Sequence, residues 1–172
     1  RLKQYLANRQ AHLILTVSEY SRRQIIEYFK IPESRVRTIL EAPNKIFIPL
    51  SNNGEMSKVL GQYQLDPEQR FILYVGGISP HKNLQTLVEV YGQLIQNMQF
   101  FDVKLVFVGD YSGDSFFTNY HALKQQINKL GLEKRIIFTG FVHDQHLVYL
   151  YNAASLLVFP SFQEGFGLPA IE

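Results

Sequence analysis

Two glutamates eight positions apart, Glu164 and Glu172, bracket the loop Gly165-Phe166-Gly167-Leu168. A helix is expected to start near Pro169, with Glu172 one turn into it, so both carboxylates can stand beside one ligand at its N-terminus. Paired carboxylates also suit glycoside hydrolysis, and acids near helix starts occur for dipole reasons alone. The second candidate is Lys82, in Gly76-Gly77-Ile78-Ser79-Pro80-His81-Lys82-Asn83, directly before a helical stretch. A lysine in the first turn of a helix opposes the macrodipole. A bound anion reverses that sign, because the free N–H groups and the ammonium then both point at it. A solvated surface lysine is the other reading of Lys82. None of the five histidines has a spacing that demands a metal. His143 and His146 read as polar residues capping a helix start.

The elements that must position these residues follow from periodicity. His12–Val17 reads as a short apolar strand, and Ser18 as the N-cap of a helix carrying Ile25, Ile26 and Phe29. Pro32 stops that helix, and residues 35–40 alternate as a strand does. Pro43, Asn44, Pro49, Ser51, Asn52, Asn53 and Gly54 then crowd together as in a linker. From Phe71 onward the pattern is regular. Strands are expected at 71–75, 103–108, 136–138 and 156–159. The first helix between them carries Leu84, Leu87, Val88, Tyr91, Leu94, Ile95 and Met98. The second carries Phe116, Tyr120, Leu123, Ile127 and Leu130, closed by Gly131, and the third carries Leu147, Leu150, Tyr151 and Ala154. The alternation predicts an α/β fold with a parallel sheet flanked by helices. Gly76, Gly77, Gly109, Gly140, Gly165 and Gly167 fall just past the expected strand ends, the edge where open α/β sheets bind ligands. Tight turns explain any one of them; all six on one edge favour a nucleotide or sugar-phosphate site. The dinucleotide fingerprint G-x-G-x-x-G and the phosphate loop ending in Lys-Ser/Thr are both missing.

Composition narrows the function. The 172 residues are 46% hydrophobic and 19% charged, which excludes a disordered chain. A net charge of +2 is too small to argue for nucleic acid. No apolar run approaches the roughly 20 residues of a membrane-spanning helix. There is no Cys, which removes disulfides, thiolate metal sites and cysteine nucleophiles, and fits a reducing, cytoplasmic setting. The chain opens on Arg1 rather than Met and ends at a loop-to-helix junction, so it is expected to be a piece of something longer.

The segment from Glu164 to Glu172 resembles the E-x7-E signature of the retaining, nucleotide-sugar-dependent glycosyltransferases of family 4, which have the GT-B fold. Ser18-Glu19-Tyr20-Ser21, Tyr74-Val75-Gly76 with Pro80-His81-Lys82-Asn83-Leu84, Leu105-Val106-Phe107-Val108-Gly109, Phe138-Thr139-Gly140-Phe141-Val142 and Leu150-Tyr151-Asn152-Ala153-Ala154 resemble that family too, in its order. The resemblance implies that residues 1–42 end an N-terminal, acceptor-binding domain. Residues 43–70 would be the linker and the start of a second domain, and 71–172 a truncated, Rossmann-like, nucleotide-sugar-binding domain.

By the same resemblance, Glu172 accepts from the ribose hydroxyls and Glu164 lies near the transferred sugar as the catalytic carboxylate. The amides of Gly165, Phe166, Gly167 and Leu168 hold sugar hydroxyls and phosphates. Lys82, on the loop opened by Gly76 and Gly77, binds the diphosphate. Gly140, Phe141 and Val142 line the base pocket. The Pro-x-Lys-Asn-Leu run is similar to a mannosyltransferase-like subgroup. The implied reaction moves a hexose from a nucleoside-diphosphate sugar, the substrate, to a glycan or lipid-linked acceptor, with no metal or other cofactor. One departure stands out: many members carry an Arg in the position of Gly77 as a second phosphate clamp. That departure motivates the alternative of a non-catalytic nucleotide-sugar-binding module. For these 172 residues alone the expectations are no transferase activity and self-association through uncovered apolar surface, with any peripheral membrane contact made by the missing N-terminal domain.

Overall fold

The structure is a computed structural model that describes residues 2–51, 54–111 and 119–172. Phe116, Asn52 and Asn53 therefore lie outside the described residues. The chain divides into two units, one running to Pro43 and including Glu164–Ile171, the other comprising Asn44–Gln163 with Glu172.

In the first unit, helix α1 (Leu2–Gln10) precedes strand β1 (Ile14–Thr16), helix α2 (Glu19–Phe29) and strand β2 (Val36–Thr38). β1 and β2 pair in parallel with Ile14 opposite Val36, so α2 is the crossover between them. Ser18 caps α2 as expected, its hydroxyl accepting from the Ser21 amide at 3.1 Å. The helix ends at Phe29 because Lys30 takes a left-handed conformation (φ 53°), two residues before the proline expected to stop it.

The second unit is a four-stranded parallel sheet. Its strands are β3 (Phe71–Val75), β4 (Lys104–Val108), β5 (Ile136–Gly140) and β6 (Leu156–Leu157), in the spatial order β5-β4-β3-β6. Alternate side chains of the central strands feed two cores. Ile72, Tyr74, Leu105 and Phe107 pack under α4 (Leu84–Leu94) and α5 (Tyr120–Lys129). Phe71, Leu73, Val106 and Val108 pack under α3 (Gly54–Gln62) and α6 (Asp144–Ala153) on the other face. Burial on both faces is why β3 and β4 read as unbroken apolar runs.

Several expectations need correction. α3 is a helix that periodicity does not announce: it begins at Gly54, where the proline- and asparagine-rich stretch ends, and Met56, Val59 and Leu60 are its buried stripe. α4 stops at Leu94, leaving Met98 81% exposed instead of on the apolar face. Leu130 caps α5 and is exposed, with Gly131 one residue beyond in the left-handed region (φ 66°). No α-helix forms at Pro169. Leu168–Ala170 make a single 3-10 turn, and Glu172 follows it. Lys82 likewise sits in a 3-10 turn, Pro80–Lys82, and the left-handed Asn83 separates it from α4. The macrodipole argument for a lysine within the first α-helical turn does not apply.

Candidate functional site at the carboxyl edge of the sheet

The chain runs from β3 outward to β4 and β5, then returns to the other side of β3 as β6. That reversal makes a switch point between β3 and β6. In open parallel α/β sheets such a switch point, at the carboxyl ends of the strands, is the usual ligand position. Gly76, Gly77 and Lys82 are all on the loop after β3.

This edge is built of closely packed main chain. The Gly76 amide donates to the Val108 carbonyl at 2.9 Å, and the Gly109 amide to the Gly140 carbonyl at 3.0 Å. A Cβ on Gly109 (φ 153°) would lie 2.1 Å from the Gly76 carbonyl oxygen, so only glycine fits there. Gly77 is different. A Cβ there meets nothing within 4 Å, and the residue's carbonyl is tethered by the Tyr74 hydroxyl at 2.9 Å. Lack of room therefore does not explain why the arginine of the family pattern is missing here.

The β3 and β6 loops are joined directly. The Asn83 side-chain amide donates to the Pro160 carbonyl at 3.1 Å, and the Phe162 amide donates to the His81 carbonyl at 3.0 Å. Asn83 also accepts from the Thr86 hydroxyl at 2.7 Å. It takes the left-handed conformation (φ 56°) that asparagine tolerates better than most residues. Asn83 has no role legible in the sequence; its bond to Pro160 ties the loop that carries the half-buried Lys82 to the loop after β6. His81 is exposed, its ring 3.1 Å from the Ser79 hydroxyl.

On the far side of the sheet, Gly140 ends β5 with φ 75°, facing the Tyr111 ring. Phe141 is 69% exposed and meets His143 edge to face at 5.0 Å. Val142 is buried in the core under α6. His143 occupies the N-cap of α6 without a side-chain cap bond, and His146 is 2.9 Å from the Tyr63 hydroxyl. The capping expectation for these two is corrected: neither side chain caps the helix.

Glu172 accepts a hydrogen bond from the Tyr151 hydroxyl at 2.7 Å, where Tyr151 extends from α6. Burial, this bond and the neighbouring charges of Glu172 and Asp144 hold the phenol far above its ordinary range, so it remains a donor. Tyr151 reads from sequence as an apolar helix-face residue, and its polar partnership with Glu172 has no local signal.

In the first unit, the Gly165 carbonyl accepts from the Ser21 hydroxyl at 3.4 Å. A Cβ on Gly165 would approach Val17 to 3.4 Å, so the glycine lies against the start of α2. Gly167 is left-handed (φ 84°) and begins the 3-10 turn. Glu164, Phe166 and Leu168 are half-buried in the same segment.

An open depression of about 770 Å³ lies at the opposite, amino-terminal edge, lined in part by Gln69, Asp102, Lys104, Lys134 and Arg135. Two of its charged groups, Asp102 and Arg135, are already engaged. Asp102 pairs with Arg70, and Arg135 donates to the Phe101 carbonyl. Among the described residues no group of three His, Cys, Asp or Glu could hold a metal, and no helix is long and apolar enough to cross a membrane.

The α/β fold, a parallel sheet flanked by helices, is shared with glycosyltransferases of the GT-B fold. WaaG, a glycosyltransferase involved in lipopolysaccharide biosynthesis, matches with a TM-score of 0.74 at 16% identity, over 98% of this chain and 45% of WaaG. HepE of Anabaena, solved in complex with UDP and glucose, matches with a TM-score of 0.72 at 27% identity, over 94% of this chain and 41% of HepE. The sequence model of the family described as glycosyl transferases group 1 matches residues 56–172, and the chain belongs to that family. O-antigen chain mannosyltransferase B of Escherichia coli is 40% identical over 162 residues, 94% of this chain and 40% of that protein. The chain thus spans about two fifths of the length of these relatives.

Proposed function

We propose that the protein transfers a hexose, mannose first among the candidates, from a nucleoside-diphosphate sugar to a glycan or lipid-linked acceptor, with retention of configuration. The observation that carries this reading is the switch-point loop, whose Gly76-Gly77 main chain and Lys82 are pinned to the β6 loop through Asn83 and Phe162. The 40% identity to an O-antigen mannosyltransferase supports mannose, and the UDP and glucose held by HepE support a nucleotide-sugar donor. In this reading Lys82 meets the diphosphate and Glu172 the ribose. Gly140, Phe141 and Val142 border the base. Glu164 and the amides of Gly165–Leu168 attend the transferred sugar.

As the glycosidic bond breaks, negative charge builds on the leaving diphosphate. Donors already fixed in place stabilise that charge without reorganising, so the reaction needs no metal from these residues. A donor drawn from metabolism and a chain without cysteine favour a cytoplasmic setting.

Calorimetric titration with GDP, UDP and ADP tests the donor site. One of the three is expected to bind, and Glu172→Ala to weaken it about tenfold or more. No binding of any of them, or binding unchanged by Glu172→Ala, overturns the reading. The glycine at position 77 favours one competing reading, a module that binds nucleotide sugar and transfers nothing. Release of free nucleoside diphosphate in the presence of acceptor, with the anomeric configuration of the product read by NMR, separates the two.

A further inference from the structure

We propose that Tyr151 is a positioning residue for the nucleotide's ribose: its hydroxyl holds one carboxylate oxygen of Glu172 and so aims the other at the ribose hydroxyls. The inference rests on the reading of Glu172 as the ribose acceptor. The hydroxyl lies 2.7 Å from Oε2, the short distance of an O–H donating to a charged oxygen.

The place of the phenol is set by the core rather than by the glutamate. The Tyr151 ring packs edge to face against Phe47 at 5.5 Å, and both belong to the core under α6. The segment carrying Phe47 is itself clamped to α6. Asn152, next in the helix, donates to the Ile48 carbonyl at 3.0 Å and accepts from the Leu50 amide at 2.7 Å. Asn44 reaches Asp144 at the start of the same helix at 3.1 Å.

A glutamate side chain is long, and holding it in one rotamer for a ligand costs conformational entropy. The Tyr151 bond meets that cost before the ligand arrives. A carboxylate accepts at both oxygens, so Oε1 stays available to a hydroxyl pair that donates. The phenol remains protonated at every physiological pH and holds the glutamate throughout.

The test compares ribose with its deoxy form. Of GDP, UDP and ADP, the one that binds most tightly is titrated into the protein alongside its 2′,3′-dideoxy counterpart. The unaltered protein is expected to favour the ribose form. Tyr151→Phe is expected to weaken that form about tenfold and to leave the dideoxy form unchanged. A purely structural tyrosine would shift both ligands equally or neither, and either result overturns the proposal.

Glu172→Ala, which removes the acceptor, separates the positioning role of Tyr151 from the reading of Glu172 beneath it. A preference lost in Glu172→Ala but kept in Tyr151→Phe overturns the positioning role alone. A preference kept in Glu172→Ala overturns the reading of Glu172. Should Tyr151→Phe fail to fold, Phe47→Leu frees the ring while leaving the hydroxyl in place. The ratio of the two affinities is then expected to fall about threefold, and an unchanged ratio overturns the proposal.

Discussion

Gly77 is the residue whose identity departs most from what the family resemblance implies, and its surroundings make the departure testable. It is exposed, a Cβ there touches nothing within 4 Å, and its bond from Tyr74 goes to the main chain and survives substitution. Gly77→Arg is therefore expected to fold normally. It should raise affinity for the nucleoside diphosphate about fivefold, more at low salt than at high, because it adds a charge-assisted donor at the phosphate edge. Isothermal titration at two salt concentrations checks this, and equal or weaker affinity in a folded variant refutes it. Gly109, by contrast, has no freedom at all. The Gly76 carbonyl occupies the space its side chain would need. The sequence presents the two glycines as members of one set, since each follows a strand, and only the contacts distinguish them.

At the scale of elements, α6 links the core to the candidate site. It carries Tyr151, and its Asn152 closes three side-chain hydrogen bonds, two to the Ile48–Leu50 segment and one to the Val148 carbonyl at 2.8 Å. Asn152→Ala is expected to cost about 1.5 kcal/mol of stability and to speed hydrogen exchange at the Leu50 amide. Denaturant midpoints and exchange mass spectrometry read both, and an unchanged Leu50 amide contradicts the clamp. The strands and α6 were legible from periodicity because apolar runs and helical stripes are local patterns. α3 was missed because its stripe of Met56, Val59 and Leu60 spans little more than one turn beside a proline- and asparagine-rich stretch. The expected helix after Pro169 failed for a related reason: a start signal says nothing about propagation, and only the 3-10 turn Leu168–Ala170 follows.

For the whole molecule, buried phenols set the response to alkali. Tyr91 is held up to about 12 by burial, Tyr151 is raised further, and Tyr63 is raised as well. In the unfolded chain these groups lose their protons near pH 10. Above that pH the unfolded state binds fewer protons than the native state, so stability falls. The contribution of Tyr91 is full below about pH 10 and is lost as pH rises from there through about 12, and the other two phenols act in the same direction. Denaturant midpoints measured from about pH 8 upward are expected to hold level and then drop beyond pH 10. Tyr91→Phe is expected to blunt that drop, and a level midpoint throughout would show that the phenols are not held as described.

The order of strands and helices, the apolar faces and the glycines at the strand ends were determined by the sequence itself. Each is a property of neighbours three or four residues apart, or of one residue's own backbone freedom. The tertiary structure decided the return of β6 to the far side of β3, the pinning of residues 81–83 to 160–162, and the bond from Tyr151 to Glu172. These contacts join positions about 20 to 80 residues apart, and no local period encodes which partners meet across such distances. Lys82 and Glu172 were therefore readable as candidates, while the residues that hold them, Asn83 and Tyr151, became visible only once the chain was folded.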